Sequence, residues 1–153
     1  MEITPSIRPI EILLIEDNPG DVRLAREALK DGKVLNALNV VEDGVEAMAY
    51  LRRQGKYAEA AQPDLILLDL NLPRKDGRQV LEEIKTDDGL KQIPVVILTT
   101  SRAEEDILQA YRHWANCYIS KPVELEQFLS VVRAAGNFWL SIVRLPAKER
   151  HNV

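Results

Sequence analysis

Three short runs of aliphatic residues recur along the chain, and a polar or acidic residue closes each of them. The runs are Ile12–Ile15, Leu65–Leu68 and Val95–Leu98. They are too short for buried helices, and unbroken apolar runs of this length are typical of central strands in a parallel sheet that is covered on both faces. Residues 38–41 and residues 117–119 are weaker candidates for two further strands. Together the runs predict a sheet of five strands.

Apolar residues at helical spacing separate the predicted strands. Recurrence every three or four residues places such residues on one face of a helix. The predicted faces comprise Val22, Ala25, Ala28 and Leu29; Val45, Met48 and Leu51; Val80, Leu81 and Ile84; and Ile107, Leu108 and Tyr111. We expect a β-α unit repeated five times, which gives five helices. Because parallel strands need right-handed crossover connections, units of this size favour an open, doubly wound α/β sheet.

The composition limits the class of protein. A chain of 153 residues with 46% hydrophobic content suits one domain with a substantial core. The net charge of −4 and the lack of a Lys/Arg block argue against a nucleic-acid surface. The single cysteine, Cys117, excludes an intramolecular disulfide. Since there is no apolar stretch long enough for a membrane span and no export pattern, we expect a cytoplasmic protein that does not bind a membrane.

Polar side chains follow the predicted strands at the points where they end. Glu16 and Asp17 close the first strand, Asp69 the third and Thr99 the fourth, and the fifth leads into Lys121. The carboxyl ends of parallel strands meet at one edge of a doubly wound sheet, which is where such sheets bind ligands. Three carboxylates repel one another unless a cation lies among them, and an all-oxygen set suits hydrated Mg²⁺. The sequence therefore predicts a magnesium site.

Metal and carboxylates together indicate phosphate chemistry. An aspartate can attack phosphorus directly and form an acyl phosphate, and Asp69 is the best placed nucleophile. The Thr99 hydroxyl could bond one phosphoryl oxygen, and the Lys121 ammonium could neutralise another. Taken singly, these residues have simpler interpretations, such as an acidic pair favoured by a helix dipole or a solvated lysine. Only their joint spacing favours a catalytic site.

Four segments resemble the CheY-like receiver domain of response regulators. They are ILLIEDN at 12–18, LILLDLNLPRKDG at 65–77, VVILTTS at 95–101 and YISKP at 118–122. The resemblance covers residues 10–137, and the spacings from Asp69 to Thr99 and Lys121 match those of the single-domain chemotaxis regulator. It implies a flavodoxin-like fold with strand order 2-1-3-4-5.

The resemblance also implies residue roles. Asp69 would be the phosphoacceptor for a histidine kinase, and the chain would catalyse only its own phosphotransfer and autodephosphorylation. Mg²⁺ would be held by Asp17, the Asp69 carboxylate and the backbone carbonyl of Asn71, and by Glu16 directly or through water. Thr99 and Tyr118 would form the switch pair that transmits phosphorylation to the surface.

A narrower resemblance is to the small response regulators of cyanobacterial phytochromes. It rests on NPGDVRL at 18–24 and on NFWLSIVRLP at 137–146. It implies a phytochrome-type kinase, no output domain and signalling by protein contact, with the downstream partner left open. The chain then divides into an N-terminal extension at 1–9, a receiver domain at 10–137 and a C-terminal helix extension and tail at 138–153.

The C-terminal segment predicts a homodimer. A continuous helix over residues 125–145 would run about 30 Å, longer than a sheet of short strands can cover. Its last turns would expose apolar residues, with Phe138, Trp139, Ile142 and Val143 as the candidate contacts. The alternative is that the tail bends at residues 136–137 and folds back onto its own domain.

Two other functions compete with the receiver. A phosphatase of the haloacid dehalogenase type needs a second aspartate two residues after the nucleophile, and this chain has Asn71 there. A flavodoxin-like cofactor binder shares the sheet topology, but its phosphate loop would follow the first strand, where the carboxylates of Glu16, Asp17 and Asp21 would repel a phosphate. Both alternatives are weaker on these grounds.

Overall fold

A computed structural model describes residues 9–31, 36–99, 117–120 and 126. The sheet consists of β1 (Ile10–Ile15), β2 (Asn36–Val41), β3 (Leu65–Asp69), β4 (Val95–Thr99) and β5 (Cys117–Ser120). The strands lie in the order β2-β1-β3-β4-β5, and every neighbouring pair is parallel. The predicted parallel sheet is therefore confirmed.

Two strands begin earlier than their apolar runs suggest. β1 starts at Ile10 and β2 at Asn36, because these two residues are partners at the start of the β1–β2 ladder. β2 is the edge strand next to β1, and only Val41 of its six residues is fully buried. An edge position explains why β2 lacks the unbroken apolar run of the central strands.

Helices cover both faces of the sheet. The described ones are α1 (Pro19–Asp31), α2 (Gly44–Leu51) and α3 (Gly77–Thr86), with one 3₁₀ turn (Gly55–Tyr57) after α2. The predicted fourth helix lies outside the described residues, and so does the extended helix at 125–145 apart from residue 126. Among the helices that are described, none is long and apolar enough to cross a lipid bilayer.

The core has two halves, one on each face of the sheet. On one face, Ile12 and Leu14 of β1 pack with Ala25 and Leu29 of α1. On the other face, alternate strand residues pack with α2 and α3; this half includes Leu13, Ile15, Ile66, Leu68, Val80, Leu81 and Ile84. Since successive side chains of a strand point to opposite faces, both halves draw on the same apolar runs.

One residue of the predicted apolar stripes faces solvent instead. Val45 is 38% exposed, whereas Ala47, Met48 and Leu51 of the same helix are buried. The buried stripe of α2 begins at Gly44, so Val45 lies about 100° to one side of it. The predicted faces of α1 and α3 are buried apart from Val22, which is partly buried.

Candidate functional site

Three carboxylates meet where β1 and β3 end. Glu16 and Asp17 directly follow β1, and Asp69 is the last residue of the adjacent strand β3. One oxygen from each of the three side chains lies within 4.8 Å of the others. Glu16 and Asp69 are buried, with 1% and 3% of their surface exposed, while Asp17 is exposed. This all-oxygen set, with one side open to solvent, fits a hard divalent cation such as Mg²⁺.

The turn after β1 holds the Glu16 side chain and starts α1. The Asn18 N–H donates to Glu16 Oε2 at 3.1 Å, and the Asp21 N–H donates to Asn18 Oδ1 at 3.0 Å. Asn18 thus satisfies one of the N–H groups at the start of α1, and Pro19 stands at the first helical position, where no N–H is needed. The helix therefore begins immediately beside the acidic cluster.

The segment from Leu70 to Asp76 holds Asp69 in place. The Asn71 N–H donates to Asp69 Oδ1 at 3.2 Å, and the side chains of Leu70 and Leu72 are buried below the loop. The Gly77 N–H donates a hydrogen bond to the Leu70 carbonyl at 3.0 Å. A Cβ at Gly77 would lie 2.4 Å from the Asp69 carbonyl oxygen, so only glycine lets α3 begin this close to β3.

A second loop, which the sequence reasoning missed, contacts this segment from the side of α2. Asp43 caps α2 by accepting a hydrogen bond from the Glu46 N–H at 2.8 Å, and its other oxygen lies 3.2 Å from Arg74 Nη1. A Cβ at Gly44 would lie 2.1 Å from the Lys75 carbonyl oxygen. The signal was present in the sequence, because an aspartate three residues before a glutamate marks a helix N-terminus.

The remaining predicted site residues are placed only in part. Thr99 is the last residue of β4, and the residue before it, Leu98, is the ladder partner of Asp69. Tyr118 is in β5, opposite Ile97. The backbone of Thr99 is therefore at the same sheet edge as Asp69. The side chains of Thr99 and Tyr118 lie outside what the structure describes. The same holds for Lys121 and for the dimer candidates at 138–143.

A family comparison decides the class of protein. Residues 12–133 match the model of the response regulator receiver domain. The chain belongs to this family. The matched range contains the three carboxylates and the loops around them, so the flavodoxin-like receiver fold is confirmed and the protein belongs with signalling proteins. The match favours a receiver over the phosphatase and the cofactor binder.

Individual relatives narrow the comparison. The chain is 48% identical over 139 residues to the response regulator Rcp1 of Synechocystis sp., covering 91% of this chain and 95% of that protein. It is 54% identical to the phosphorylated cyanobacterial phytochrome response regulator RcpA, with a TM-score of 0.73 over 88% of this chain and 96% of that chain. The Mn²⁺-bound form of Rcp1 aligns with a TM-score of 0.72 at 48% identity, over 91% of this chain and 100% of that one. The receiver is thus related to phytochrome response regulators.

Proposed function

We propose that this receiver accepts a phosphoryl group from a histidine kinase onto Asp69, and that the kinase is of the phytochrome type. The observation that carries the proposal is the buried Asp69 carboxylate at the end of β3, grouped with Glu16 and Asp17. The kinase class is supported by the likeness to RcpA and Rcp1.

The chemistry follows from the position of Asp69. A carboxylate oxygen attacks the phosphorus of a phosphohistidine, and an O–P bond forms while the P–N bond breaks, its electron pair returning to the imidazole. The Asn71 N–H bond to Oδ1 orients the carboxylate for this attack. Burial excludes most water from the nucleophile. The product is an acyl phosphate on Asp69.

The same residues would hold the metal. Glu16, Asp17, the Asp69 carboxylate and the backbone carbonyl of Asn71 are the proposed ligands of Mg²⁺. When bound, the cation would offset the charge of the carboxylates and of the phosphoryl oxygens. A Mn²⁺-bound form is known for Rcp1, which supports a divalent cation in this chain too.

Three further residues complete the proposed switch. The Lys121 ammonium pairs with a phosphoryl oxygen, and the Thr99 hydroxyl bonds another. Movement of Thr99 is followed by the ring of Tyr118, which changes the adjacent surface. The output is a contact with another protein in the cytoplasm, and catalysis is limited to phosphotransfer and autodephosphorylation on Asp69. The downstream partner is open.

The proposal includes a homodimer through Phe138, Trp139, Ile142 and Val143. Apolar residues at helical spacing in this tail support a two-fold contact between identical faces. Light scattering on wild type and on a Phe138→Asp, Ile142→Asp double variant tests it, with a dimer expected only for wild type. A wild-type monomer, with and without the phosphoryl mimic beryllofluoride, would exclude the dimer.

The central test is phosphorylation of an Asp69→Asn variant, which removes the nucleophile at nearly constant volume. Incubation with labelled acetyl phosphate and Mg²⁺ should label wild type with a base-labile adduct and leave Asp69→Asn unlabelled. Asp88→Asn is a matched control, because its side chain is 96% exposed in the loop after α3. Equal labelling of Asp69→Asn and wild type would refute the assignment.

A further inference from the structure

Arg74 has a backbone conformation that arginine rarely adopts. Its φ is +69°, in the left-handed region, although it carries a bulky side chain. Such a conformation is strained for a residue with a Cβ, and it persists only where the surroundings hold it. Arg74 is in the segment between Asp69 and α3, three residues after Asn71. Contacts with the surrounding residues must therefore hold this segment in place.

The Lys75 N–H donates to the Pro73 carbonyl at 2.8 Å across Arg74, and the Arg74 side chain makes an ion pair with Asp43. Arg74 Nη1 lies 3.2 Å from Asp43 Oδ2, and the Asp43 side chain is only 12% exposed. Asp43 cannot move away easily, because its Oδ1 accepts the Glu46 N–H at the start of α2. The Arg74 side chain is 58% exposed, but the carboxylate that it pairs with is mostly buried and is held by a second hydrogen bond, so one partner of the pair is fixed. Arg74 is thus tied to the N-terminus of α2.

Backbone contacts on either side of the pair leave the segment little room to shift. Gly44, the first residue of α2, faces the Lys75 carbonyl so closely that a Cβ there would lie 2.1 Å from the oxygen. Gly77, at the start of α3, faces the Asp69 carbonyl in the same way. The segment is therefore held between α2 and β3.

We propose that Arg74 is a positioning residue for the acidic site: its ion pair with Asp43 holds the loop so that the Asn71 N–H reaches the Asp69 carboxylate. This inference rests on the proposed phosphorylation of Asp69. Arg74 itself does not touch the reacting atoms. It acts through the backbone of the loop, which carries both the hydrogen-bond donor to Asp69 and the proposed carbonyl ligand of the metal.

The test compares four variants with wild type. Arg74→Asn removes the guanidinium, and asparagine tolerates a left-handed backbone. Asp43→Asn removes the charge but keeps an oxygen to cap α2. The double variant shows whether both act through one contact, and Arg74→Lys restores the charge. Lys91→Gln is the control, since it breaks an exposed ion pair with Asp88 in the loop before β4.

The first readout needs neither metal nor phosphate. Hydrogen exchange of the Asn71 amide should be about tenfold faster in Arg74→Asn and in Asp43→Asn. This is the size expected if the hydrogen bond from the Asn71 N–H to the charged Asp69 carboxylate is lost. Amides in the centres of β1 and α3 should exchange as in wild type. The double variant should be no faster than either single variant, because both remove the same interaction. Arg74→Lys should recover part of the protection.

The second readout is Mg²⁺-dependent labelling by acetyl phosphate. Arg74→Asn and Asp43→Asn should raise the Mg²⁺ concentration for half-maximal rate, while Lys91→Gln should match wild type. Normal Asn71 exchange and normal Mg²⁺ dependence in Arg74→Asn, with wild type labelled on Asp69, would overturn the role of Arg74 and leave the proposed function standing. Additive effects in the double variant would also overturn it. Failure to label wild type would instead overturn the proposed function, and this inference with it.

Discussion

Charged groups are arranged differently at the two ends of the strands. We call the end where the strands finish the carboxyl edge and the end where they begin the amino edge. At the carboxyl edge, the like charges of Glu16, Asp17 and Asp69 come within 4.8 Å of one another. At the amino edge, the Lys85 ammonium at the end of α3 donates to the backbone carbonyls of Lys91 at 3.0 Å and Ile93 at 2.6 Å. The carboxyl edge therefore brings three carboxylates together, whereas the contacts named at the amino edge pair a donor with an acceptor.

The acidic cluster at the carboxyl edge concerns the proposed function, whereas the contacts at the amino edge concern stability. Neighbouring carboxylates repel one another, and a cation bound among them would offset that repulsion. At the amino edge, by contrast, Arg52 pairs with Asp87 at 3.9 Å, and the Gln62 amide donates to the Gly89 carbonyl at 3.3 Å. Burial lowers the pKa of Lys85, yet both of its hydrogen bonds hold the connection into β4. Substitutions at the two edges should thus differ in what they change.

The largest effect is expected for glycine replacement at the carboxyl edge. An alanine at Gly77 would place its Cβ 2.4 Å from the Asp69 carbonyl oxygen. Because that oxygen belongs to the backbone, relieving the clash requires a backbone shift. We expect Gly77→Ala to lower the free energy of unfolding by about 3 kcal/mol. At the amino edge, a Cβ on Gly89 meets only Asp87 Oδ1 at 3.4 Å. Gly89→Ala should stay within about 0.5 kcal/mol of wild type in urea unfolding; equal losses would erase the contrast between the edges.

The next effect concerns the metal. Bound Mg²⁺ should raise the free energy of unfolding of wild type by about 2.7 kcal/mol at one hundred times its Kd. Asp17→Asn removes one carboxylate of the cluster, so the increment at the same Mg²⁺ concentration should shrink. Asp17 is exposed, and the metal-free variant should be about as stable as wild type. An Asp87→Asn control at the amino edge should keep the full increment. An undiminished increment in Asp17→Asn would remove that residue from the metal site.

A smaller effect is expected at Lys85. Lys85→Met keeps most of the apolar stem but removes the donor to the Lys91 and Ile93 carbonyls. We expect a loss of about 1 kcal/mol in urea unfolding, since one carbonyl contact is exposed and water can replace it. Labelling of Asp69 and its Mg²⁺ dependence should not change. A slower labelling rate in Lys85→Met would show that the two edges are coupled.

The strands that are buried on both faces are the elements that the sequence predicts best. The runs that lie in β1, β3 and β4 are apolar throughout, because both faces of a central strand are covered, although β1 begins two residues before its run. The start of β2 was predicted less well, since an edge strand is only partly buried. Val45 was misassigned because an apolar residue beside a buried stripe looks like part of it.

The candidate site was predictable where chemistry follows directly from strand ends. Glu16, Asp17 and Asp69 meet as expected, since neighbouring parallel strands end at the same edge. The contact of Asp43 with Arg74 was not predictable, although the cap at Asp43 was. Arg74 makes this contact from a backbone with a positive φ, and no residue pattern marks a left-handed arginine. Loop geometry of this kind depends on packing between elements far apart in the chain.

The smallest effect is confined to alkaline pH and concerns Tyr57, which follows α2 and bonds back to its first turn. The Tyr57 hydroxyl donates to Glu46 Oε1 at 2.5 Å. Burial, and then this hydrogen bond to Glu46, raise the pKa of Tyr57 to about 12 from its ordinary value of 10.0. The folded protein therefore retains a proton that the unfolded chain has lost between these two pH values. The stability that depends on it is complete below pH 10.0 and falls as the pH rises toward about 12.

Tyr57→Phe should accordingly leave urea unfolding at neutral pH almost unchanged and make the alkaline decline shallower. The decline should not vanish, because burial, with a smaller contribution from Glu11, also raises the pKa of Tyr50. Glu46→Gln is the sharper control: it keeps an acceptor for the hydroxyl but removes the charge, so the tyrosinate absorbance of Tyr57 should appear at a lower pH than in wild type. Burial is the larger cause of the shift, so that pKa should remain above the ordinary value. An alkaline decline identical in Tyr57→Phe and wild type would mean that folding does not raise the pKa of Tyr57.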